Sequence, residues 1–548
     1  MGLRETKILK INSHKHSLGC LVLVCGFFIF PVFSQRSAFL HTNPAVQRAK
    51  FLLQDGKLKE AEILLQEYLL KTPRDVEARV LLGVVFDQED RIGDAEKMYR
   101  EILRANPREV PALANLGVLL MRDKRQEEAR EVLAEVLRLQ PKHQQAAYNL
   151  AALYSAKDEQ AKALPLLERL VGITTSNKTP VNKDFALLFA LTKAYAATGK
   201  TEKAIKIAEI LEIQKSDDER LLFTLGLVLA EAREYKKATS LFEKVKEKVP
   251  GNFEVLYNLG VGYYNLNELD KSRTVLQEAA NLDPNSAEVF YRLGLIASAK
   301  NDIENALGLW LKSVEIRPQF HEVNFLIAEE LSKRQAYSGA LQFYEKAALA
   351  QPENFLYQVR LGVTYIRMQQ YEKAHNVFDR EEKKRPDDLN LVYLKGFLAR
   401  AEGNYDEAIA AFNKVLKISP NNADGLSNLG FLASERGQNE RAEILLRQAI
   451  KADHKIFSAH YDLGRLLLRL KRTDEAVVIL ERGAEFNKKD PGVRYQLFIA
   501  YSRLKQKDKA DANFAEFKRL EKAYVKTGAS ATLNDKPENI PTSVVQEP

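Results

Sequence analysis

The sequence predicts an all-α protein, a solenoid of about fourteen 34-residue helix-turn-helix repeats. Three observations predict it. Alanine recurs with a period of 34, at thirteen of fourteen equivalent positions, and Ser272 is the one substitute. Glycine stands twelve residues before nine of these positions, and proline stands twelve residues after nine of them. Within a unit, apolar residues recur at helical spacing in two stretches that a polar turn separates.

The first residues form a pattern that is typical of export. Residues 1–17 carry four basic residues against one acid, and residues 18–33 are uncharged and mostly apolar. Small residues then occupy the −3 and −1 positions of a cleavage site that ends at Ser34. We therefore expect a signal peptide over 1–34 and a linker over 35–41, in a protein exported to the periplasm or the exterior. The alternative is an uncleaved membrane anchor formed by residues 18–33.

The repeat register organises the rest of the chain. It predicts repeats 1–4 over 42–177, a seven-residue insertion over 178–184 and repeats 5–14 over 185–524. Residues 508–524, which are rich in charge, are expected to form a C-terminal capping helix, because a terminal repeat needs a polar outer face. Residues 525–548 are mostly polar and contain proline, so they are predicted to be a disordered tail.

Each unit is predicted to form two amphipathic helices. In residues 253–286, Leu256, Leu259 and Tyr263 share one helical face with the small Gly260. Glycine at this place indicates where the two helices of a pair approach most closely, since a larger side chain would push the axes apart. Proline then ends the second helix. Because one pair cannot bury its apolar face alone, we expect neighbouring units to stack.

These residues resemble a known repeat family. Its 34-residue pattern contains a Leu-Gly pair, a tyrosine, an alanine and a closing proline, and this sequence matches it with Tyr257-Asn258-Leu259-Gly260, Tyr263, Ala279 and Pro284. The sequence is similar to the tetratricopeptide repeat family, of the exported bacterial type, over 42–177 and 185–524. The resemblance implies a right-handed superhelix in which the first helix of each unit lines an inner groove.

Composition and motifs exclude several other classes of protein. The 82 Lys and Arg residues stand against 74 Asp and Glu, and the net charge of +8 is scattered, unlike the basic patch of a nucleic-acid-binding protein. Both cysteines, Cys20 and Cys25, precede the repeats, so the body has no cysteine zinc site or disulfide framework. No phosphate-binding loop, His-Glu-x-x-His pair or Gly-x-Ser-x-Gly elbow occurs. We expect no catalytic residue, metal or cofactor, and no enzymatic activity.

The residues predicted to bind a partner lie on the first helices. We number each unit so that the recurring alanine is position 20; the resemblance then places positions 2, 5, 6, 9, 12 and 13 in the groove. Position 5 is aromatic in nine units and position 6 is asparagine in four. Such rings suit a peptide-binding groove, but they can equally fill space between adjacent first helices. The groove candidates are Tyr148, Asn149, Phe189, Phe223, Tyr257, Asn258, Tyr291, Phe325, Arg360, Tyr393, Asn428 and Tyr461.

Arginines join the groove positions of the later repeats. They could favour an acidic or phosphorylated segment, although exposed arginines on helices are commonplace. The carboxylate clamp of chaperone-binding family members is absent, because position 5 carries aromatic residues instead of lysine. The arginines are Arg360, Arg367, Arg400, Arg465, Arg469 and Arg503.

Together these patterns predict a non-enzymatic scaffold that binds segments of other proteins in the groove, in envelope assembly or export. The alternative is a recruiting subunit of a separate enzyme complex, such as a glycosyltransferase or polysaccharide synthase. No nucleic-acid partner is expected, and contact with a membrane is expected only through the N-terminal segment, if it stays uncleaved. The sequence leaves the oligomeric state open.

Overall fold

The computed structural model describes residues 43–526. The predicted signal peptide, the linker and all but the first two residues of the predicted tail lie outside the described residues. Within 43–526 the chain forms 28 α-helices and no strand, which confirms the predicted all-α class. The helices group into two compact units that divide between Leu282 and Asp283.

The first unit contains fourteen helices of seven repeats. They are α1 (Pro44–Gln54), α2 (Leu58–Lys71), α3 (Val76–Gln88), α4 (Ile92–Ala105), α5 (Val110–Arg122), α6 (Gln126–Leu139), α7 (Gln144–Ala156), α8 (Gln160–Leu170), α9 (Phe185–Ala197), α10 (Thr201–Gln214), α11 (Glu219–Glu231), α12 (Tyr235–Lys248), α13 (Phe253–Asn265) and α14 (Leu269–Leu282). Residues 171–184 between α8 and α9 are not helical, and this stretch includes the predicted insertion.

The second unit contains the helices of the other seven repeats. They are α15 (Ala287–Ala299), α16 (Ile303–Ile316), α17 (His321–Lys333), α18 (Tyr337–Ala350), α19 (Phe355–Arg367), α20 (Tyr371–Lys384), α21 (Leu389–Glu402), α22 (Tyr405–Ile418), α23 (Ala423–Glu435), α24 (Asn439–Ala452), α25 (Phe457–Arg469), α26 (Thr473–Phe486), α27 (Pro491–Arg503) and α28 (Lys507–Lys526). The last helix continues two residues beyond the boundary at 524 that the sequence predicts.

Helices pack in the order of the chain within each unit. The two helices of a repeat pack against each other, the second helix packs on the first helix of the next repeat, and successive first helices also touch, as α23 does with α25 and α25 with α27. Within the described part of each unit, every repeat thus packs mainly against its neighbours in the chain, which is the packing of a solenoid.

The recurring alanine of position 20 is buried wherever it occurs. Its methyl group fills the space between the two helices of the pair, where a larger side chain would push them apart. Ser272, the one substitute, is also fully buried, and its hydroxyl donates a hydrogen bond of 2.7 Å to the main-chain oxygen of Gly260. The substitution is tolerated because the buried hydroxyl has a partner.

The glycine of position 8 marks the closest approach of the paired helices, as the sequence predicts. A Cβ atom on Gly294 would lie 2.3 Å from Nε1 of Trp310, and one on Gly362 would lie 2.3 Å from Cε1 of Phe378. Both distances are far below van der Waals contact. The bulky residue of the second helix therefore occupies the space that the missing side chain leaves free.

The turn between the helices of a repeat requires a left-handed residue at position 15. Glycine supplies it at Gly56, Gly199, Gly403 and Gly437, and a residue with a side chain supplies it in the other ten repeats, for example Arg233 with φ of 64°. This conformation suits glycine best, so the remaining repeats tolerate local strain at the same place.

A candidate binding pocket on the first helices

Four of the predicted groove aromatics are buried, namely Phe189, Tyr257, Phe325 and Tyr393. The ring centroid of Phe325 lies 4.6 Å from that of Tyr357 on α19, in a stacked arrangement. These four rings fill space between helices, which is the packing alternative that the sequence left open.

The other four predicted aromatics are half-buried and also touch aromatic neighbours or polar groups. Tyr291 lies edge-on to Phe320, with a centroid distance of 5.2 Å, and the ring of Tyr461 stacks on that of Phe457 at 5.9 Å. Part of each ring is accessible from outside. The half-buried set consists of Tyr148, Phe223, Tyr291 and Tyr461.

Three of the four asparagines of position 6 use their side-chain amides within their own helices. Nδ2 of Asn258 donates to the main-chain oxygen of Glu254 at 2.8 Å, and Nδ2 of Asn115 donates to that of Pro111 at 2.9 Å. Oδ1 of Asn149 accepts from Gln145 at 3.2 Å. These bonds hold the three amides against their own helices.

Arg360, a predicted groove residue, is paired with an acid. Its Nε lies 2.9 Å from Oε1 of Glu329 on α17, and the hydroxyl of Tyr344 donates to the same oxygen at 2.5 Å. Burial raises the pKa of Tyr344 well above its usual value, and the Glu329 carboxylate adds to the effect. The charge of Arg360 is therefore compensated inside the fold.

A pocket of about 320 Å³ opens on α23, α25 and α27, the first helices of the last three repeats. Its walls combine apolar side chains with three arginines and two acids. All but one of the lining residues occupy predicted groove positions, and Leu466 is the exception. The lining residues are Phe431, Ser434, Glu435, Asp462, Arg465, Leu466, Leu468, Arg469, Gln496, Ile499 and Arg503.

The period of 34 explains why these residues meet. Phe431, Arg465 and Ile499 all occupy position 9, and Glu435, Arg469 and Arg503 all occupy position 13. The sequence analysis singled out the three arginines but missed the apolar wall. Comparing the residues at the same groove position in successive repeats near the C-terminus would have found this apolar wall.

Two of the three arginines are held by main-chain groups. Arg469 donates to the main-chain oxygen of Ser434 at 3.1 Å, and Arg503 donates to that of Leu468 at 2.6 Å. Both acceptors belong to the last turn of the preceding first helix, where carbonyl groups lack an intrahelical partner. These arginines therefore join consecutive repeats.

Arg465 is placed differently from the other two arginines. Its side chain is 43% exposed, and its Nη1 lies 3.7 Å from Oδ1 of Asp462, which is beyond hydrogen-bond distance. The guanidinium also lies 5.7 Å from the ring centroid of Tyr461. Among the described residues, its guanidinium makes no hydrogen bond. Arg465 thus presents a positive group to the pocket.

A polar network connects three predicted residues with the rim of the pocket. Nη1 of Arg400 donates to Oδ1 of Asn428 at 2.5 Å, and Nδ2 of Asn428 donates to the hydroxyl of Tyr393 at 3.1 Å. The guanidinium of Arg400 lies 4.5 Å from the ring centroid of Phe431, which lines the pocket. The network fixes the position of that ring.

The polar side chains of the pocket are its three arginines, its two acids, Ser434 and Gln496. In the described range 43–526 no three His, Cys, Asp or Glu side chains are grouped as metal ligands would be. No helix within that range has the length and hydrophobicity needed to cross a bilayer.

Comparisons with known families agree with the repeat architecture. Three models described as tetratricopeptide repeat match residues 229–296 and 399–461, residues 359–423, and residues 457–490. These ranges of the chain match the tetratricopeptide repeat family. A fourth model, the middle TPR-like domain of cilia and flagella-associated protein 70, matches residues 49–163 of the same repeat array. No curated protein matches the sequence.

Several solved structures are similar to this chain at low identity and low TM-score. Yeast Tom70 is 17% identical with a TM-score of 0.33, over 80% of this chain and 98% of that chain. The Naa15/Naa10 complex bound to HypK is 13% identical with a TM-score of 0.37, over 88% and 94%. The Cut9–Hcn1 hetero-tetramer of APC/C is 14% identical with a TM-score of 0.34, over 82% and 95%. Likeness at this level identifies no partner for the repeat protein described here.

Proposed function

We propose that this repeat protein is a non-enzymatic scaffold that binds a segment of another protein in the pocket on α23, α25 and α27. One observation carries the proposal: the pocket is lined by equivalent positions of three consecutive repeats. A bound segment that follows the first helices would meet the same positions in each repeat in turn. The volume of about 320 Å³ accommodates side chains of such a segment.

The composition of the pocket favours a protein partner. Phe431, Leu466, Leu468 and Ile499 supply apolar surface, while the arginines and acids surround it. An apolar centre with a charged rim is the usual arrangement of a protein interface, and aromatic and arginine side chains are enriched there.

Affinity capture with the full chain tests the proposed function. The pocket variant is Phe431→Ala/Ile499→Ala, and the matched control is Ile444→Ala/Val478→Ala, which removes exposed apolar side chains from the second helices of the same region. A partner that is retained by wild type and control, lost by the pocket variant and bound again as a purified protein by wild type supports the proposal. Equal capture by all three proteins places the binding surface elsewhere and contradicts it.

Export and a role in envelope assembly are the proposed setting. The basic residues 1–17, the apolar residues 18–33 and the cleavage pattern ending at Ser34 support export. The first residue of the mature protein tests it: Gln35 is expected, and an intact Met1 in membrane fractions would favour the anchor. If the captured partner carries glycosyltransferase or synthase activity that falls without this chain, the role is that of a recruiting subunit.

A further inference from the structure

We infer that the pocket recognises a segment with an acidic side chain between two apolar ones, three residues away on each side, and that Arg465 binds the acid. The inference rests on the proposed function, because it names the partner class of the same pocket. It also makes Arg465 the residue that determines specificity, and it assigns a structural role to the other two arginines.

The three arginines of the pocket differ in the hydrogen bonds that they already make. The guanidinium groups of Arg469 and Arg503 each donate to a main-chain oxygen of the preceding repeat. Using them for a ligand would break these hydrogen bonds between consecutive repeats. Arg465 gives up no hydrogen bond when it binds a ligand, so an acid gains most at Arg465.

Two neighbouring side chains hold the guanidinium of Arg465 in place. The Asp462 carboxylate, which is almost fully buried, lies 3.7 Å away on one side, and the ring of Tyr461 lies 5.7 Å away. These neighbours attract the guanidinium and restrict where it points. A guanidinium has five N–H donors, so a partner's carboxylate or phosphate can accept two of them side by side.

The residues at position 9 of the last three repeats follow one another along the groove. Position 9 is phenylalanine on α23, arginine on α25 and isoleucine on α27. The three helices touch in sequence, and packed helix axes lie about 8–10 Å apart. A chain in the polyproline II conformation advances about 3.1 Å per residue with three residues per turn, so residues three apart share one face and span one repeat. The matching segment is apolar-x-x-acidic-x-x-apolar, which reads the same in either chain direction.

Synthetic peptides test the inference with the full chain. The probe is a fluorescent twelve-residue peptide that carries Leu-x-x-Glu-x-x-Leu in a Ser/Ala background. Three companions carry glutamine for glutamate, serine for both leucines, or phosphoserine for glutamate. The last separates phosphate from carboxylate as the source of the negative charge. A further peptide consists of residues 527–548 of this chain, in which no acid has apolar residues three places away on both sides.

The Arg465→Gln variant is compared with Arg441→Gln, which removes an exposed arginine from α24. Arg465→Gln is expected to weaken binding of the Glu or phosphoserine peptide by about 10-fold, since a charge-assisted hydrogen bond is lost. Arg441→Gln is expected to bind as wild type does. Binding of the Gln peptide is expected to be weaker than that of the Glu peptide and independent of Arg465.

The outcomes separate this inference from the proposed function. Equal binding of Glu and Gln peptides, reduced by Phe431→Ala/Ile499→Ala, overturns the role of Arg465 and leaves the scaffold function in place. Absence of binding for every peptide overturns the inference, and capture from extract then judges the scaffold function by itself. If only the 527–548 peptide binds, the pocket belongs to a segment of this chain and the inference is overturned.

Discussion

Arg503 donates a hydrogen bond of 2.6 Å to the main-chain oxygen of Leu468, which lies one repeat earlier in the last turn of α25. Arg469 makes the equivalent bond to Ser434 at 3.1 Å. Since the acceptors are helix-end carbonyl groups, each arginine both caps a helix and joins two repeats. An arginine that the sequence suggests for ligand binding thus has a structural use.

Replacing Arg503 with glutamine is expected to loosen the end of the second unit. The loss is about 1 kcal/mol, because the bond involves a charged donor but the side chain is exposed. It falls on the last repeat, since each repeat contacts only its neighbours. Hydrogen exchange should become faster in α27 and α28, and Arg441→Gln on α24 should leave that exchange unchanged. Unaltered exchange in the Arg503 variant would show that the bond contributes nothing.

Gly294 and Gly308 belong to the same repeat and should respond in opposite ways to alanine. A methyl group on Gly294 would lie 2.3 Å from Nε1 of Trp310, whereas a methyl group on Gly308 meets no atom within 4 Å. We expect Gly294→Ala to destabilise by about 1–3 kcal/mol through overpacking. We expect Gly308→Ala, in the middle of α16, to stabilise by about 0.5–1 kcal/mol.

Trp310 provides the readout for this pair, because it is the single tryptophan of the chain. Its fluorescence during urea unfolding reports on the repeat in which both glycines lie. Gly294→Ala should also change the native emission, as the indole has to move, while Gly308→Ala should leave it as in wild type. Equal effects of the two substitutions on the unfolding midpoint would contradict the close approach of α15 and α16.

Asp424 lies at the start of α23, on the helix that carries one wall of the pocket. Burial, together with the nearby Asp453 carboxylate, raises the pKa of its carboxyl from 3.8 to about 6. The native protein therefore binds this proton more tightly than the unfolded chain does. Stability due to this group rises as the pH falls through 6 and is lowest above it.

Asp424→Asn is expected to raise the free energy of unfolding by about 1–3 kcal/mol at pH 7.5 and to change it little at pH 4. The quantity to measure is the difference in the free energy of unfolding between the variant and wild type at each pH. Wild type alone is not sufficient, because burial lowers the pKa of His460 on α25 and this residue gives stability the opposite pH dependence. Urea unfolding at both pH values provides it. Asp511→Asn, which removes an exposed acid, should give no such difference, and an equal gain in both variants would rule out burial as the cause.

The period of the sequence predicted most of the fold and little of the site. The alanine and glycine columns have the same surroundings in every repeat, so their burial follows from the repeat alone. Position 5 differs, because its exposure depends on side chains from two repeats at once. Phe325 is covered by Tyr357 and Tyr344, while Tyr291 meets Phe320 along one edge and stays half-buried.

The shared position of Phe431, Arg465 and Ile499 can be read from the sequence, but the open pocket between them cannot, for the same reason. It forms because Phe431, Arg465 and Ile499 occupy one column and their side chains leave a gap between them. The size of that gap depends on how far each side chain reaches across to the next helix. The position in the repeat indicates which residues lie on the same face of the first helices. The packing of their side chains decides whether a pocket stays open on that face.

Replacing Phe325 tests whether an aromatic residue at position 5 packs in the core or binds a partner. Its ring is 4% exposed, stacks on Tyr357 at 4.6 Å and lies edge-on to Tyr344 at 5.8 Å. We expect Phe325→Ala to lower the free energy of unfolding by about 3–5 kcal/mol, because it leaves a cavity between α17, α18 and α19. Phe325→Leu, which keeps most of the volume, should lose much less.

Thermal unfolding followed by circular dichroism measures this effect, with Phe51→Ala as the matched control. The ring of Phe51 is 60% exposed on α1, so its removal should cost less than about 1 kcal/mol. If Phe325→Ala melted like wild type yet lost partner capture, the ring would belong to a binding surface. A large loss of stability with partner capture unchanged at low temperature would place the ring in the core and leave recognition to the pocket on α23, α25 and α27.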